Sequence, residues 1–226
     1  MSPSVTVQRR FSTLADGDFA VADHTPNSLL SVRRSLVDLP WCWLTQTHSA
    51  EVITVTQAEQ AQGVRGDALV TTSNELVLGV QTADCVPVLL WSTNAIAAVH
   101  AGWRGAYDGI LEATVRALRE LDDSELSAEI GPHICPLDYE FGERDLTTLA
   151  LRFGPDVVAV SASGTAAFDI FRAIETTLRN LGVRLSNQQR PDCTAHTTDQ
   201  FGNARWYSHR ARGDVGRQVS AIWRQP

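Results

Sequence analysis

Lysine is missing altogether: all 19 basic side chains of this 226-residue chain are arginine. No Schiff-base lysine is available, and any anion must be met by planar guanidinium forks rather than mobile ammonium groups. The arginine bias itself reads first as genomic composition. No apolar run reaches about 18 residues and no charged-then-apolar leader opens the chain, so neither a membrane span nor a signal peptide is expected. The expected location is the cytoplasm. Positive charge is not in excess either. A net charge of -7 lacks the clustered cations that bind a phosphate backbone, which argues against nucleic acid as a partner. Cysteine is sparse and irregularly spaced, at Cys42, Cys85, Cys135 and Cys193. That pattern points to reduced thiols rather than a disulfide framework.

What is present supports a core. The hydrophobic content is 43%, and no repeat, low-complexity tract or linker divides the chain, so one domain over residues 1–226 is expected. Alternation predicts strands over residues 5–11, 52–55, 68–71, 76–81 and 219–223, with short ones at 19–21 and 205–209. The near-continuous apolar runs 86–91 and 95–99 predict strands covered on both faces. Helices are predicted over 27–36, over 106–121 with Ile110, Ala113, Ala117 and Leu121 inward, and over 166–181 with Phe171, Ile174, Leu178 and Leu181 inward, stopped by Gly182. Mixed sheets with helices packed outside follow.

Three side chains carry the chemistry. Cys85 and His100 stand at the ends of the two buried strand-like runs, and His48 precedes another strand. Two imidazoles and one thiolate are the three-ligand set of a catalytic zinc with an open fourth position. With 36 and then 14 intervening residues they must converge through the fold. Asp84 adjoins Cys85 and is placed to orient a ligand histidine. The same residues equally suit a nucleophilic cysteine, with a histidine as base and Asp84 as its orienting group. Arg104, in the glycine-flanked Gly102-Trp103-Arg104-Gly105, is a candidate for holding an anion such as phosphate. A second constellation, His133 with Cys135 and Cys193 with His196, would form a closed Cys2His2 site if the pairs met.

The series Gln46-Thr47-His48-Ser49, Gly66-Asp67, Asp84-Cys85, His100-Ala101-Gly102-Trp103-Arg104-Gly105, Gly131-Pro132 and Tyr139-Glu140-Phe141-Gly142 closely resembles the bacterial laccase-domain family. That family is also called the multicopper polyphenol oxidoreductase or purine nucleoside phosphorylase family. The resemblance runs over about residues 11–223. It implies an α/β (α+β) single domain layered α/β/β/α, similar to a bacterial deamidating toxin's catalytic domain. It implies zinc, with His48, Cys85 and His100 as ligands. It also implies phosphorolysis of adenosine, inosine and methylthioadenosine, and deamination of adenosine. The chain departs from the family at Leu14, where Arg is common, and at Ser49, where Gly is usual. It departs again at Leu137-Asp138, which replaces a Cys-Cys pair, so no catalytic duty passes to Cys135. The loop around residues 23–27 is shorter, and a shifted substrate preference is expected.

Six histidines without a His-x-His pair are too few for a four-copper oxidase with its trinuclear cluster, so copper is the less expected metal. The leading expectation is a monomeric, zinc-dependent enzyme acting on purine nucleosides. Arg104 with Arg210 or Arg212 would bind phosphate, Trp103 or Tyr107 would stack on the base, and for deamination Asp84 would assist proton transfer. The rivals are a Cys-His hydrolase, a copper polyphenol oxidoreductase, and a non-enzymatic metal-dependent binding protein.

Overall fold

The computed structural model describes residues 5–21, 25–186 and 189–225. His24 and part of the shortened 23–27 loop lie outside them. Elements are numbered in chain order. The apolar runs at 86–91 and 96–101 become β6 (Val86–Trp91) and β7 (Ile96–Ala101), buried on both faces apart from Trp91. They are the middle of a six-stranded sheet in the order β11 (Arg184–Leu185), β8 (Ser127–Ile130), β6, β7, β4 (Ala68–Thr71), β3 (Val52–Thr54). A second sheet of four strands runs β1 (Thr6–Phe11), β12 (Gln218–Gln225), β5 (Val77–Thr82), β2 (Trp41–Cys42).

The two sheets face each other over Leu69, Leu78, Val80, Leu89, Ala98 and Ile222. On the outer face of the four-stranded sheet α1 (Pro26–Leu36) packs Leu29 and Leu36 against Trp41, Val77 and Val219. On the outer face of the six-stranded sheet α3 (Ile110–Leu121), α4 (Glu143–Phe153) and α5 (Ile170–Asn180) bury Val115, Leu149 and Ile174 against Val88 and Val99. The expected α/β/β/α layering is what forms. Each large aliphatic side chain enclosed in these layers contributes roughly 1.5–3 kcal/mol of transfer free energy.

Several local expectations are corrected. The helix expected over 106–121 is two, α2 (Trp103–Asp108) and α3, because Gly109 takes a left-handed conformation at φ 95°. Its inward stripe is Ile110, Leu111, Thr114, Val115 and Leu118, with Leu121 exposed. Thr114 is buried by returning its hydroxyl to the Ile110 carbonyl at 2.7 Å, which hides a polar group in an apolar face. Residues 166–168 form a strand, β10 (Ala166–Phe168), paired with β9 (Val158–Val160), before Asp169 caps α5. Residues 19–21 form no strand: Asp18 and Gln81 side chains take the Ala20 and Val21 N–H groups. Residues 205–209 form none either, since Ser208 caps the short α6 (His209–Arg212).

The chain leaves one sheet for the other at residues 83–85, between β5 and β6. Asp84 and Cys85 therefore stand at the rim between the sheets, where β7 ends at His100 and Ala101. No described helix is long and apolar enough to cross a membrane.

Candidate functional site

His48, Cys85 and His100 converge, with one ligand atom from each lying within 4.8 Å of the others. Cys85 Sγ is 3.7 Å from His48 Nε2, and the two imidazoles meet edge-on with centroids 4.8 Å apart. Tetrahedral zinc with Zn–S of about 2.3 Å and Zn–N of about 2.0–2.1 Å separates sulfur from nitrogen by roughly 3.5 Å, so the donor set fits such an ion. His100 is buried, Cys85 half-buried and His48 exposed, which leaves one side of the triad open. Glycine makes the approach possible: a Cβ on Gly102 would fall 2.5 Å from His48 Cδ2 and 3.2 Å from Cys85 Sγ.

The carboxylate that orients this triad is Asp67, and the expectation for Asp84 is corrected. Asp67 is fully buried beside β4, across from His100, whose backbone N–H donates to the Asp67 carbonyl at 2.8 Å. His100 Nδ1 donates to Asp67 Oδ1 at 2.7 Å, which turns Nε2 toward the triad. Asp67 also accepts the backbone N–H groups of Thr47, His48 and Ser49 and both hydroxyls of Thr47 and Ser49. His48 is thereby held at φ 59°, a left-handed conformation that a histidine adopts only when its surroundings compel it. Asp67 was legible as the residue after Gly66 entering a strand, and its role emerges only when β4 and β7 pair.

Asp84, at φ 93°, points its carboxylate elsewhere. Oδ1 accepts the hydroxyls of Thr194 and Ser208, each at 2.7 Å, and Oδ2 accepts the Arg210 backbone N–H at 2.6 Å. It pins the distant 194 and 208–210 segments to the cysteine-bearing turn.

Electrostatics favour the thiolate–imidazolium pair of Cys85 and His100. Burial pushes the Cys85 thiol up, but the His100 charge and hydrogen bonds from His100 and His48 outweigh it and bring the thiol down to about 6. Burial pulls His100 down, but the facing thiolate and the Asp67 carboxylate raise it to about 9. For Asp67, burial acts upward and is overcome by hydrogen bonds from His100 and Ser49, which hold it well below the usual carboxylate range.

A cavity of about 660 Å³ opens over the triad. Arg104, Trp103 and Arg210 line it, and so do Tyr139, His209 and Arg217, none of which was named as a site residue. Arg104 lies 4.4 Å over the Trp103 ring and Arg210 5.1 Å over Tyr139, which stacks each cation on an aromatic face. Of the two pairs of alternatives, Tyr107 and Arg212 do not border it. Arg212 is spent on backbone, donating to the carbonyls of Thr194, Ala195 and Trp206. Burial raises the Tyr139 hydroxyl above its ordinary range.

The expected Cys2His2 set also changes. Its two segments do meet, through a bridge between His133 and Cys193. His133 takes no part, since its Nδ1 donates to the Gly131 carbonyl at 2.8 Å and its ring stacks on Phe171. Burial pulls it down to about 4, so it stays neutral.

The family model described as multi-copper polyphenol oxidoreductase laccase matches residues 15–225. The chain belongs to that family. This laccase-family chain is 34% identical over 239 residues to a protein of Corynebacterium glutamicum named purine nucleoside phosphorylase, covering 96% of this chain and 94% of that one. It is 33% identical over 216 residues to one of the same name from Haemophilus influenzae, covering 92% and 83%. Among solved structures it is similar to a Neisseria meningitidis protein at 26% identity and TM-score 0.78, covering 97% and 95%. YlmD of Geobacillus stearothermophilus shares the fold at 22% identity and TM-score 0.78, covering 99% and 93%. Among the described residues only two groups of three or more candidate metal ligands occur, and neither gathers the histidines of a trinuclear copper centre.

Proposed function

We propose that this laccase-family chain is a zinc-dependent purine nucleoside phosphorylase. One observation carries the reading: the His48, Cys85, His100 triad opens into the same cavity as three arginines, Arg104, Arg210 and Arg217, and the Trp103 and Tyr139 rings. The names of its relatives support the same class. His48, Cys85 and His100 would hold the ion, which when bound supplies Lewis-acid stabilisation of developing negative charge.

The remaining roles belong to the chain. Arg104 and Arg210 grip inorganic phosphate through their guanidinium forks. Arg210 is positioned for this by Asp84 at its backbone N–H and by the Glu140 carbonyl at Nη1, 3.1 Å away. Trp103 and Tyr139 offer ring faces to a purine. The Tyr139 hydroxyl keeps its proton at neutral pH and so acts there as a donor toward the departing base. A phosphate oxygen then bonds to the ribose C1′ as the C1′–N9 bond breaks, giving free base and ribose 1-phosphate. Asp84 is the only carboxylate among the described lining residues, and both of its oxygens are engaged. That favours phosphorolysis over deamination, which needs a free proton shuttle.

A second reading rests on the depressed Cys85 thiol. Cys85, a histidine and Asp67 form a nucleophile, base and orienting group by geometry. The two separate on one experiment: purified protein is given inosine with and without phosphate, before and after chelation. Phosphate-dependent release of hypoxanthine and ribose 1-phosphate that is abolished by chelation and restored by zinc is expected. Turnover unaffected by chelation would hand the site to the thiol, and no phosphate dependence in zinc-loaded protein would overturn the proposal.

A further inference from the structure

A second group of ligand atoms stands apart from the cavity. Cys135, Asp138, Cys193 and His196 each offer one atom, and the four lie within 4.8 Å of one another. They come from two short turns. Cys135 precedes the single 3-10 turn Pro136–Asp138, and Cys193 opens the turn that ends at His196. The His133–Cys193 bridge, with Thr194 N–H donating to the His133 carbonyl at 3.0 Å, brings the turns together.

Two of the separations match the edges of a coordination tetrahedron. Asp138 Oδ2 lies 3.6 Å from both sulfurs, and His196 Nδ1 lies 4.0 Å from Cys135 Sγ. Tetrahedral zinc with sulfur at about 2.3 Å and oxygen at about 2.0–2.2 Å sets a sulfur–oxygen edge of roughly 3.6 Å. The fourth edge, His196 Nδ1 to Asp138 Oδ2 at 2.7 Å, is a hydrogen bond whose proton an ion would displace.

Backbone N–H groups face both sulfurs. Cys135 N–H donates to Cys193 Sγ at 3.2 Å, and the N–H groups of Leu137 and Ala195, each two residues after its cysteine, point to Cys135 and Cys193. Both sulfurs are buried while His196 and Asp138 reach solvent, so an ion can enter from outside.

We propose that Cys135, Asp138, Cys193 and His196 form a second, closed metal site for a thiolate-seeking divalent ion of the zinc class. Four protein donors leave no open position, which makes the site structural rather than catalytic. Its place in the fold gives it a task. Thr194, next to Cys193, donates to Asp84, and the Ile134 N–H, next to Cys135, donates to the Asp84 carbonyl at 3.0 Å. An ion clamping these turns would fix the segment that carries Cys85.

Cobalt titration of the full-length protein in the C85A background tests this, because that variant lacks the triad's thiolate and so separates the two sites. One cobalt per chain with sulfur-to-metal charge-transfer absorption is expected. That signal should vanish in C85A carrying Cys193→Ser, and weaken at least tenfold in affinity in C85A carrying His196→Ala. Because His196 is on the surface, the latter variant reports on the ion without threatening the core, and circular dichroism of each variant verifies folding. Absence of any thiolate-bound cobalt in folded, reduced C85A overturns the site. So does a signal unchanged by both secondary substitutions. A Cys135–Cys193 disulfide that forms in air and resists mild reductant, seen as a two-dalton mass loss and protection from alkylation, would equally overturn it.

Discussion

Asp67 Oδ1 accepts both the Nδ1 proton of His100, at 2.7 Å, and the backbone N–H of His48, at 3.0 Å. One buried oxygen thus sets the orientation of one candidate ligand and the left-handed backbone of the other. Asp67→Asn should weaken metal binding by about 10- to 100-fold, the usual effect of losing an orienting carboxylate. The amide also places an NH2 against the N–H donors of Thr47 and Ser49. Competition with a chromophoric chelator measures the affinity, and an unchanged value would show that Asp67 does not orient the site.

The metal-free protein should show unusual thiol reactivity. With Cys85 brought down to about 6 and His100 raised to about 9, the thiolate–imidazolium pair exists between those two pH values. A depressed thiol pKa means that thiolate is present above about 6 and is lost as the pH falls through it. Alkylation of Cys85 by iodoacetamide should therefore be half-maximal near pH 6, against about 8.5 for a free cysteine. His100→Gln should move the midpoint above neutrality. A wild-type midpoint above 8 would contradict the electrostatics described for the triad.

How far the site could be read in advance depended on what each residue needs from the fold. The triad was legible because Cys85 and His100 sit at the ends of apolar runs that could only be buried strands, and those strands formed as β6 and β7. Asp84 drew attention by adjacency to Cys85, yet a turn at φ 93° sends its carboxylate to Thr194 and Ser208, over a hundred positions away in sequence. Asp67 became the orienting group through antiparallel pairing of β4 with β7, a register that no local pattern encodes. The inward stripe of α3 was misphased because small Ala113 and Ala117 imitate an apolar face, while the buried Thr114 masks its polarity by bonding to Ile110.

Gly102→Ala isolates sterics from backbone preference. The residue has φ -69° and ψ 162°, which alanine adopts freely, so only the added methyl matters. That methyl would meet the His48 ring at 2.5 Å and Cys85 Sγ at 3.2 Å. Metal affinity should fall at least tenfold with the circular dichroism spectrum intact. Retained affinity would mean that the loop carrying His48 yields more easily than its Asp67 anchors imply.

Arg104 and Arg212 should part company when each is changed to alanine. Arg104 lines the cavity and is stacked on Trp103, so its loss should raise the KM for phosphate by about tenfold or more, in keeping with a charged hydrogen bond of roughly 1.5–3 kcal/mol, while leaving the melting temperature nearly unchanged. Arg212 instead satisfies the carbonyls of Thr194, Ala195 and Trp206. Removing it leaves those acceptors without their donor and should cost about 1–3 kcal/mol of stability, with a smaller effect on the KM for phosphate. Urea unfolding and phosphate-dependent kinetics on both variants give the two readouts. If Arg212→Ala were to raise the phosphate KM as much as Arg104→Ala at full stability, the division between anion contact and backbone tie would be wrong.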